Sequence, residues 1–139
     1  MDFSLSEEQR MLKDTVERLV RETYDFEKRQ KVSESEEGFS REVWGQLAEL
    51  GLLGVPFPED FGGLGGGGID LMIVGEAIGQ GLVVEPYLST VVLGGGLVEL
   101  LGSDAQKEEI LGAVVGGEKL LAFAHGEPDG RYETAHVRA

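Results

Sequence analysis

Residues 51–70 read GLLGVPFPEDFGGLGGGGID, and the fold turns on how this stretch is read. Its tail, Gly63-Leu64-Gly65-Gly66-Gly67-Gly68, satisfies the G-x-G-x-x-G spacing of dinucleotide-binding turns. That spacing holds a pyrophosphate only where a buried strand runs into the glycines and a helix leaves them, so that free backbone N–H groups converge on the ligand. Here Pro56 and Pro58 lack the backbone donor and have fixed φ, and Glu59 and Asp60 bring negative charge to the place of a phosphate. No Gly-Lys-Ser/Thr follows, which removes a phosphate loop as well. The stretch is therefore read as a structural connection between helices.

The flanks of this stretch carry helical periodicity. Ser6-Glu7-Glu8-Gln9 has the form of a capping box, and Leu12, Val16, Leu19, Val20 and Thr23 recur at three- and four-residue spacing. One helix is predicted from this box out to about Val32, with a polar loop over 33–38. Ser40 caps a second helix that buries Val43, Trp44, Leu47 and Leu50, and Gly51 ends it in the left-handed conformation. Beyond the glycines, Asp70 is placed to cap a third helix carrying Leu71, Val74, Ala77 and Ile78, stopping near 79–81. Pro86 suits the first turn of a fourth helix. There Leu88, Val91, Val92, Leu97, Leu100 and Leu101 lie on most sides, which predicts burial. Ser103-Asp104-Ala105-Gln106 is a second capping box, opening a fifth helix with Ile110, Leu111, Val114 and Val115 inward and Lys107, Glu108 and Glu109 outward; Gly116-Gly117 closes it. The period then changes. Residues 119–125 read as a strand, Glu127-Pro128-Asp129-Gly130 as a turn, and 131–139 as a second extended segment. Two strands without further partners are marginal in water, so the reading is a mainly α, up-and-down domain of about five helices over 1–117, followed by the first strands of a truncated β domain over 118–139.

Composition sets the bounds. A chain of 139 residues suffices for one domain with a real core. The net charge of −14 repels nucleic acid and anionic lipid, and the 12 basic residues are scattered, so neither is expected as a partner. There is no cysteine, hence no disulfide, thiolate metal site or thiol nucleophile. The opening residues lack the basic and apolar regions of a signal peptide and no run is long enough to span a bilayer, so a cytoplasmic location is expected.

The order of five motifs resembles the N-terminal part of the acyl-CoA dehydrogenase family: the opening Phe3-Ser4-Leu5-Ser6-Glu7-Glu8-Gln9, then LGLLGVPFPEDFGGLG, the small-residue helix, GSDAQKEEIL and LLAFAHGEP. The resemblance covers essentially the whole chain. It implies an α-helical domain preceding a β domain and a C-terminal bundle, with FAD as cofactor and α,β-dehydrogenation of an acyl-CoA thioester as the reaction. The electron acceptor would be an electron-transfer flavoprotein or similar, and the enzyme a homo- or hetero-oligomer. The family's base is a glutamate of the C-terminal domain, so none of the 26 acidic residues here inherits that role. This chain alone is expected to be inactive and to retain no FAD.

Two sets of site residues follow from the resemblance. The family's flavin-contacting segment, aromatic-x-hydrophobic-Thr/Ser-Glu-Pro-Gly-x-Gly-Ser-Asp, is matched at Phe123, Glu127 and Pro128. His125 occupies the hydrophobic position, Gly126 the hydroxyl position, and Asp129-Gly130-Arg131-Tyr132 replaces the Gly/Ser/Asp-rich end. Phe123, His125 and Gly126 are the cofactor-side candidates, with Arg131 either a charged donor or an exposed turn residue. The helix corresponding to residues 85–96 lines the family's acyl pocket and nominates Glu85, Ser89 and Leu93 for substrate. Each has a plainer reading too: His125 as a partly buried polar residue, Glu85 as a first-turn acid favoured by the helix dipole, Gly94-Gly95-Gly96 as either close packing or room for substrate. The alternatives to an enzyme segment are a non-enzymatic helical interaction module and a non-catalytic subunit of a heteromeric dehydrogenase.

Overall fold

The computed structural model describes residues 4–131, 133 and 135–138; Phe3 and Tyr132, named above, lie outside them. Ser6 opens the first helix, α1 (Glu7–Thr23), through the reciprocal box: the Gln9 N–H donates to Ser6 Oγ at 3.1 Å and the Ser6 N–H to Gln9 Oε1 at 3.1 Å. Val16 is fully buried, and Leu12, Leu19 and Val20 pack against the core beside it. The helix stops at Thr23, however, nine residues short of Val32. Asp25 caps a separate helix, α2 (Phe26–Ser33), by accepting the Lys28 N–H at 2.8 Å, an instance of a short acidic side chain competing with the continuing helix for backbone donors. α2 buries nothing.

The third helix, α3 (Arg41–Glu49), is capped by Ser40 and ended by Gly51 at φ 72° as the sequence predicts. Trp44 and Leu47 are buried, but Leu50 is 44% exposed, because the helix ends at Glu49 and Leu50 is its C-cap. The Trp44 indole N–H donates to the Gly117 carbonyl at 3.0 Å, tying α3 to the end of the chain's last helix.

The connection 51–67 is more than a link. Leu52, Leu53, Val55 and Phe57 all lie in the core, between two short 3₁₀ turns, Leu52–Gly54 and Glu59–Phe61. The glycines fold back on this apolar stretch. The amides of Gly63, Leu64, Gly65 and Gly66 donate to the carbonyls of Pro58, Gly54, Phe57 and Val55 at 3.1, 2.9, 2.8 and 2.8 Å. A Cβ on Gly63 would stand 2.0 Å from the Phe57 carbonyl oxygen, so the approach requires glycine there.

α4 (Gly68–Gly81) lies along α1. Asp70 is not its N-cap: it sits two residues inside and reaches back to the Gly67 N–H at 2.8 Å. With Gly67 as its N-cap, the helix starts three residues earlier than a side-chain cap at Asp70 would place it. Ile73, Val74 and Ala77 are buried, and Gly81 lets Val20 of α1 come close.

A single helical rod then runs from Leu88 to Leu101. Its first part, Leu88–Gly95, is π-helical, and its second, α5 (Gly96–Leu101), returns to α geometry. Pro86 precedes it, accepting the Thr90 N–H at 3.0 Å. The expectation of burial on most sides fails. Thr90, Val91, Gly94 and Gly95 face the core, while Leu88, Leu93, Leu97, Leu100 and Leu101 are exposed, Leu100 and Leu101 by more than three quarters. The rod lies across one side of the core, so only one of its faces meets a neighbour. α6 (Asp104–Val115) has its predicted box at Ser103 and Gln106 and buries Leu111 and Val114.

No strand forms among the described residues after α6. Residues 118–127 carry no regular structure and form no ladder, since a strand exists only by pairing and nothing beside this segment offers an edge. The Gly130 N–H closes the expected turn on Glu127 O at 3.1 Å, and further turns at Glu133 and His136 stand where an extended segment was predicted. Among the described residues, the regular elements are all helices.

Candidate acyl-pocket wall and flavin-side segment

The two candidate segments meet at Leu121, which contacts Thr90 and Gly94 of the π-helical segment. Ser89 and Leu93 are one turn apart on the π-helical segment, Leu93 43% exposed and Ser89 half-buried with its hydroxyl donating to the Pro86 carbonyl at 3.2 Å. π-Helical segments are rare and recur at functional sites. In this one, the triple glycine is partly accounted for by packing. A Cβ on Gly94 would stand 2.5 Å from Leu121 Cβ, and one on Gly95 2.4 Å from the Phe57 ring, while Gly96 faces open space. Close packing thus explains two of the three glycines.

Glu85 sits apart from Ser89 and Leu93. It is 5% exposed, and its carboxylate accepts the Tyr24 hydroxyl and, at 3.0 Å, the Ser40 N–H. One buried carboxylate thereby fastens the α1–α2 junction, the start of α3 and the approach to the π-helical segment. Burial, and then the bonded Glu85 carboxylate, hold the Tyr24 phenol well above its ordinary value of 10.0. Two residues on, the Tyr87 hydroxyl donates to Leu52 O at 3.0 Å, and burial raises that phenol too. Glu85 and Tyr87 together set where the rod begins.

The flavin-side candidates lie on the segment 118–127. Phe123 is 42% exposed and its ring stands 5.4 Å from that of His125, tilted by 30°. His125 and Gly126 are exposed, and the amides of residues 122–126 make no hydrogen bond within the described structure. The segment therefore offers an aromatic face and a run of free donors. Arg131 is exposed at φ 49°, and the nearby Asp129 is engaged by Arg138 at 2.9 Å. The amides of Gly63, Leu64, Gly65 and Gly66, by contrast, all donate to carbonyls of the same connection, so those four are not free for a phosphate.

Sequence reading missed Tyr24, Thr90 and Tyr87, which hold these pieces together. Thr90 and Tyr87 carried one available signal, a hydroxyl inside an otherwise apolar helix; Tyr24, whose partner is 61 residues away, carried none.

Comparison with known proteins gives the family. The family model described as acyl-CoA dehydrogenase, N-terminal domain, matches residues 6–118. The mitochondrial isovaleryl-CoA dehydrogenase of Pongo abelii is 37% identical over 128 residues, 90% of this chain and 30% of that protein. Among solved structures, the ChsE4–ChsE5 complex from Mycobacterium tuberculosis superposes with a TM-score of 0.80 at 31% identity, over 88% of this chain and 34% of that one. An acyl-CoA dehydrogenase from Bacillus anthracis complexed with FAD gives 0.81 at 27% identity, over 91% and 22%. The chain thus spans between 22% and 34% of the length of these relatives. It belongs to the acyl-CoA dehydrogenase family, whose N-terminal helical domain it matches.

Proposed function

We propose that this chain supplies one wall of the acyl pocket and one flank of the flavin site in an FAD-dependent acyl-CoA dehydrogenase, with the base coming from outside residues 1–139. The observation that carries the reading is the rod Leu88–Leu101: it is fastened at Glu85, Tyr87 and Thr90, yet turns Leu93 and Leu97 to solvent. A rigidly held apolar face with nothing on it suits a wall whose opposite side another domain provides. Ser89 and Leu93 would border the acyl group. Glu85, with both carboxylate oxygens engaged, supports that wall from behind.

The free amides of 122–126 and the exposed Phe123 fit the edge of a flavin, as donors and as an apolar flank. Bound FAD would accept the hydride from the β-carbon of the thioester. Gly126 contributes only backbone at the position where the family carries a hydroxyl. One lost side-chain hydrogen bond costs about 0.5–1.5 kcal/mol, which weakens such a site without abolishing it. Electrons would pass to an electron-transfer flavoprotein or a similar acceptor.

Gly126 also favours a second reading, a divergent subunit that works beside a more typical catalytic partner. The likeness to a ChsE4–ChsE5 complex supports it. A helical interaction module without catalysis is the third, resting on the same exposed leucines.

The test joins sequence and assay. The reading frame beyond Ala139 is determined, and its full product is expressed alone and with any neighbouring dehydrogenase subunit, then assayed for flavin per protomer and acyl-CoA-dependent dye reduction. Flavin and turnover in the lone product support the first reading, activity only in the mixture the second. A stop after Ala139 with no activity in either preparation contradicts both and leaves the interaction module.

A further inference from the structure

Thr90 is the buried polar residue within the rod, fully shielded from solvent. Its hydroxyl accepts the Leu121 N–H at 3.2 Å and donates to the Leu121 carbonyl at 3.3 Å. A residue outside helices and strands ordinarily has its two backbone groups satisfied by separate partners or by water. Here one side chain does both. Gly94, a turn further along, makes the contact possible, since a Cβ there would stand 2.5 Å from Leu121 Cβ. Beyond Leu121 the amides of 122–126 are unpaired and the residues exposed, so Leu121 is the last fastened point before Phe123, His125 and Gly126.

We propose that Thr90 is a positioning residue for residues 122–126. By clamping Leu121 to the buried face of the rod, beside Gly94, it fixes where the flavin-side segment departs from the acyl wall, so that the two keep one relative placement. The consequence for catalysis rests on the function proposed above; the clamp itself is measurable without flavin or substrate. Neither Ser89 nor Leu93 can shift along the rod axis without drawing Leu121 with it.

Amide hydrogen exchange by NMR on this chain tests the proposal. In the unaltered protein the Leu121 amide should exchange roughly tenfold more slowly than those of Ala122, Phe123 and Ala124, tenfold being about what one hydrogen bond of ordinary net strength provides. Thr90→Val keeps the shape and removes the hydroxyl. It should bring Leu121 into the range of its neighbours and move the Phe123 and His125 resonances, with protection at Val16 and Leu111 changed by less than about twofold. Thr90→Ser should restore the slow exchange, a rescue that loss of packing alone would not give. Gly94→Ala, which keeps the hydroxyl but crowds Leu121, should speed exchange there more than at Val16. If Thr90→Val does not fold, the unaltered protein and Gly94→Ala still decide. Fast exchange at Leu121 in the unaltered protein, or Thr90→Ser behaving as Thr90→Val, overturns the proposal. Failure of the flavin and turnover assays would leave this result untouched.

Discussion

At the scale of single residues, the glycines separate into those the backbone requires and those it tolerates. A Cβ on Gly63 meets the Phe57 carbonyl at 2.0 Å, whereas one on Gly65, at φ 65°, meets nothing within 4 Å and one on Gly68 also faces open space. Gly63→Ala should therefore destabilise by about 3 kcal/mol through backbone displacement, Gly65→Ala by about 1–2 kcal/mol through its left-handed conformation, and Gly68→Ala hardly at all. Urea unfolding followed by the fluorescence of Trp44, the single tryptophan, would rank them; equal losses at 63 and 68 would contradict the packing. The Tyr24–Glu85 pair makes a second prediction. Because the folded protein raises the Tyr24 and Tyr87 phenols above 10.0, their contribution is complete below that pH. It is lost as pH rises, where the unfolded phenols ionise and the folded ones do not. The alkaline fall in stability should be shallower in Tyr24→Phe than in the unaltered protein, as read from denaturation midpoints across roughly pH 8 to 11, a window of about three units that takes in the ordinary phenol value. An unchanged slope would mean that Tyr24 is not held protonated by its burial.

At the scale of elements, both capping boxes, the Ser40 cap and the Gly51 stop are legible in the sequence because each depends on residues within four positions of one another. The break after Thr23 is not. Periodicity runs through it, and what turns the chain is Asp25 acting with a tyrosine whose carboxylate partner lies 61 residues on. The same limit explains the rod and the tail. An all-round apolar helix reads as buried, but exposure is set by which neighbours are present, and a strand pattern becomes a strand only beside an edge. Leu52, Leu53, Val55 and Phe57 entered the core unannounced because turn residues surround them, and their near-alternation was the available signal. Of the candidate site, Ser89 and Leu93 against Phe123–Gly126 could be nominated by resemblance, while the Thr90 clamp that joins them is a long-range contact. One element-level prediction follows from α2 having no buried residue. Asp25→Ala removes its cap at a local cost of about 1 kcal/mol. Helical signal and exchange protection should be lost over Phe26–Ser33 alone, with the global unfolding midpoint nearly unchanged; a matching global loss would show that α2 is coupled to the core.

At the scale of the whole molecule, one side carries Leu88, Leu93, Leu97, Leu100 and Leu101 unpaired. Apolar surface of this kind associates in water unless another domain covers it. The chain by itself should therefore self-associate, its light-scattering mass rising with concentration over the micromolar range, and Leu100→Glu/Leu101→Glu should reduce that rise; a constant monomer mass would mean the leucines are too dispersed to act as one patch. Among the described residues no helix is long and apolar enough to cross a membrane. The central claim is that the rod's outward face walls the acyl pocket, and substrate preference reads it most directly. In the dehydrogenase that contains this domain, kcat/KM is measured over acyl-CoAs of increasing chain length for the unaltered enzyme and for Leu93→Trp. The account predicts that the bulkier side chain lowers kcat/KM for the longer substrates by roughly tenfold or more relative to the shorter ones, with flavin content unchanged. A chain-length profile that Leu93→Trp leaves as it was would contradict it.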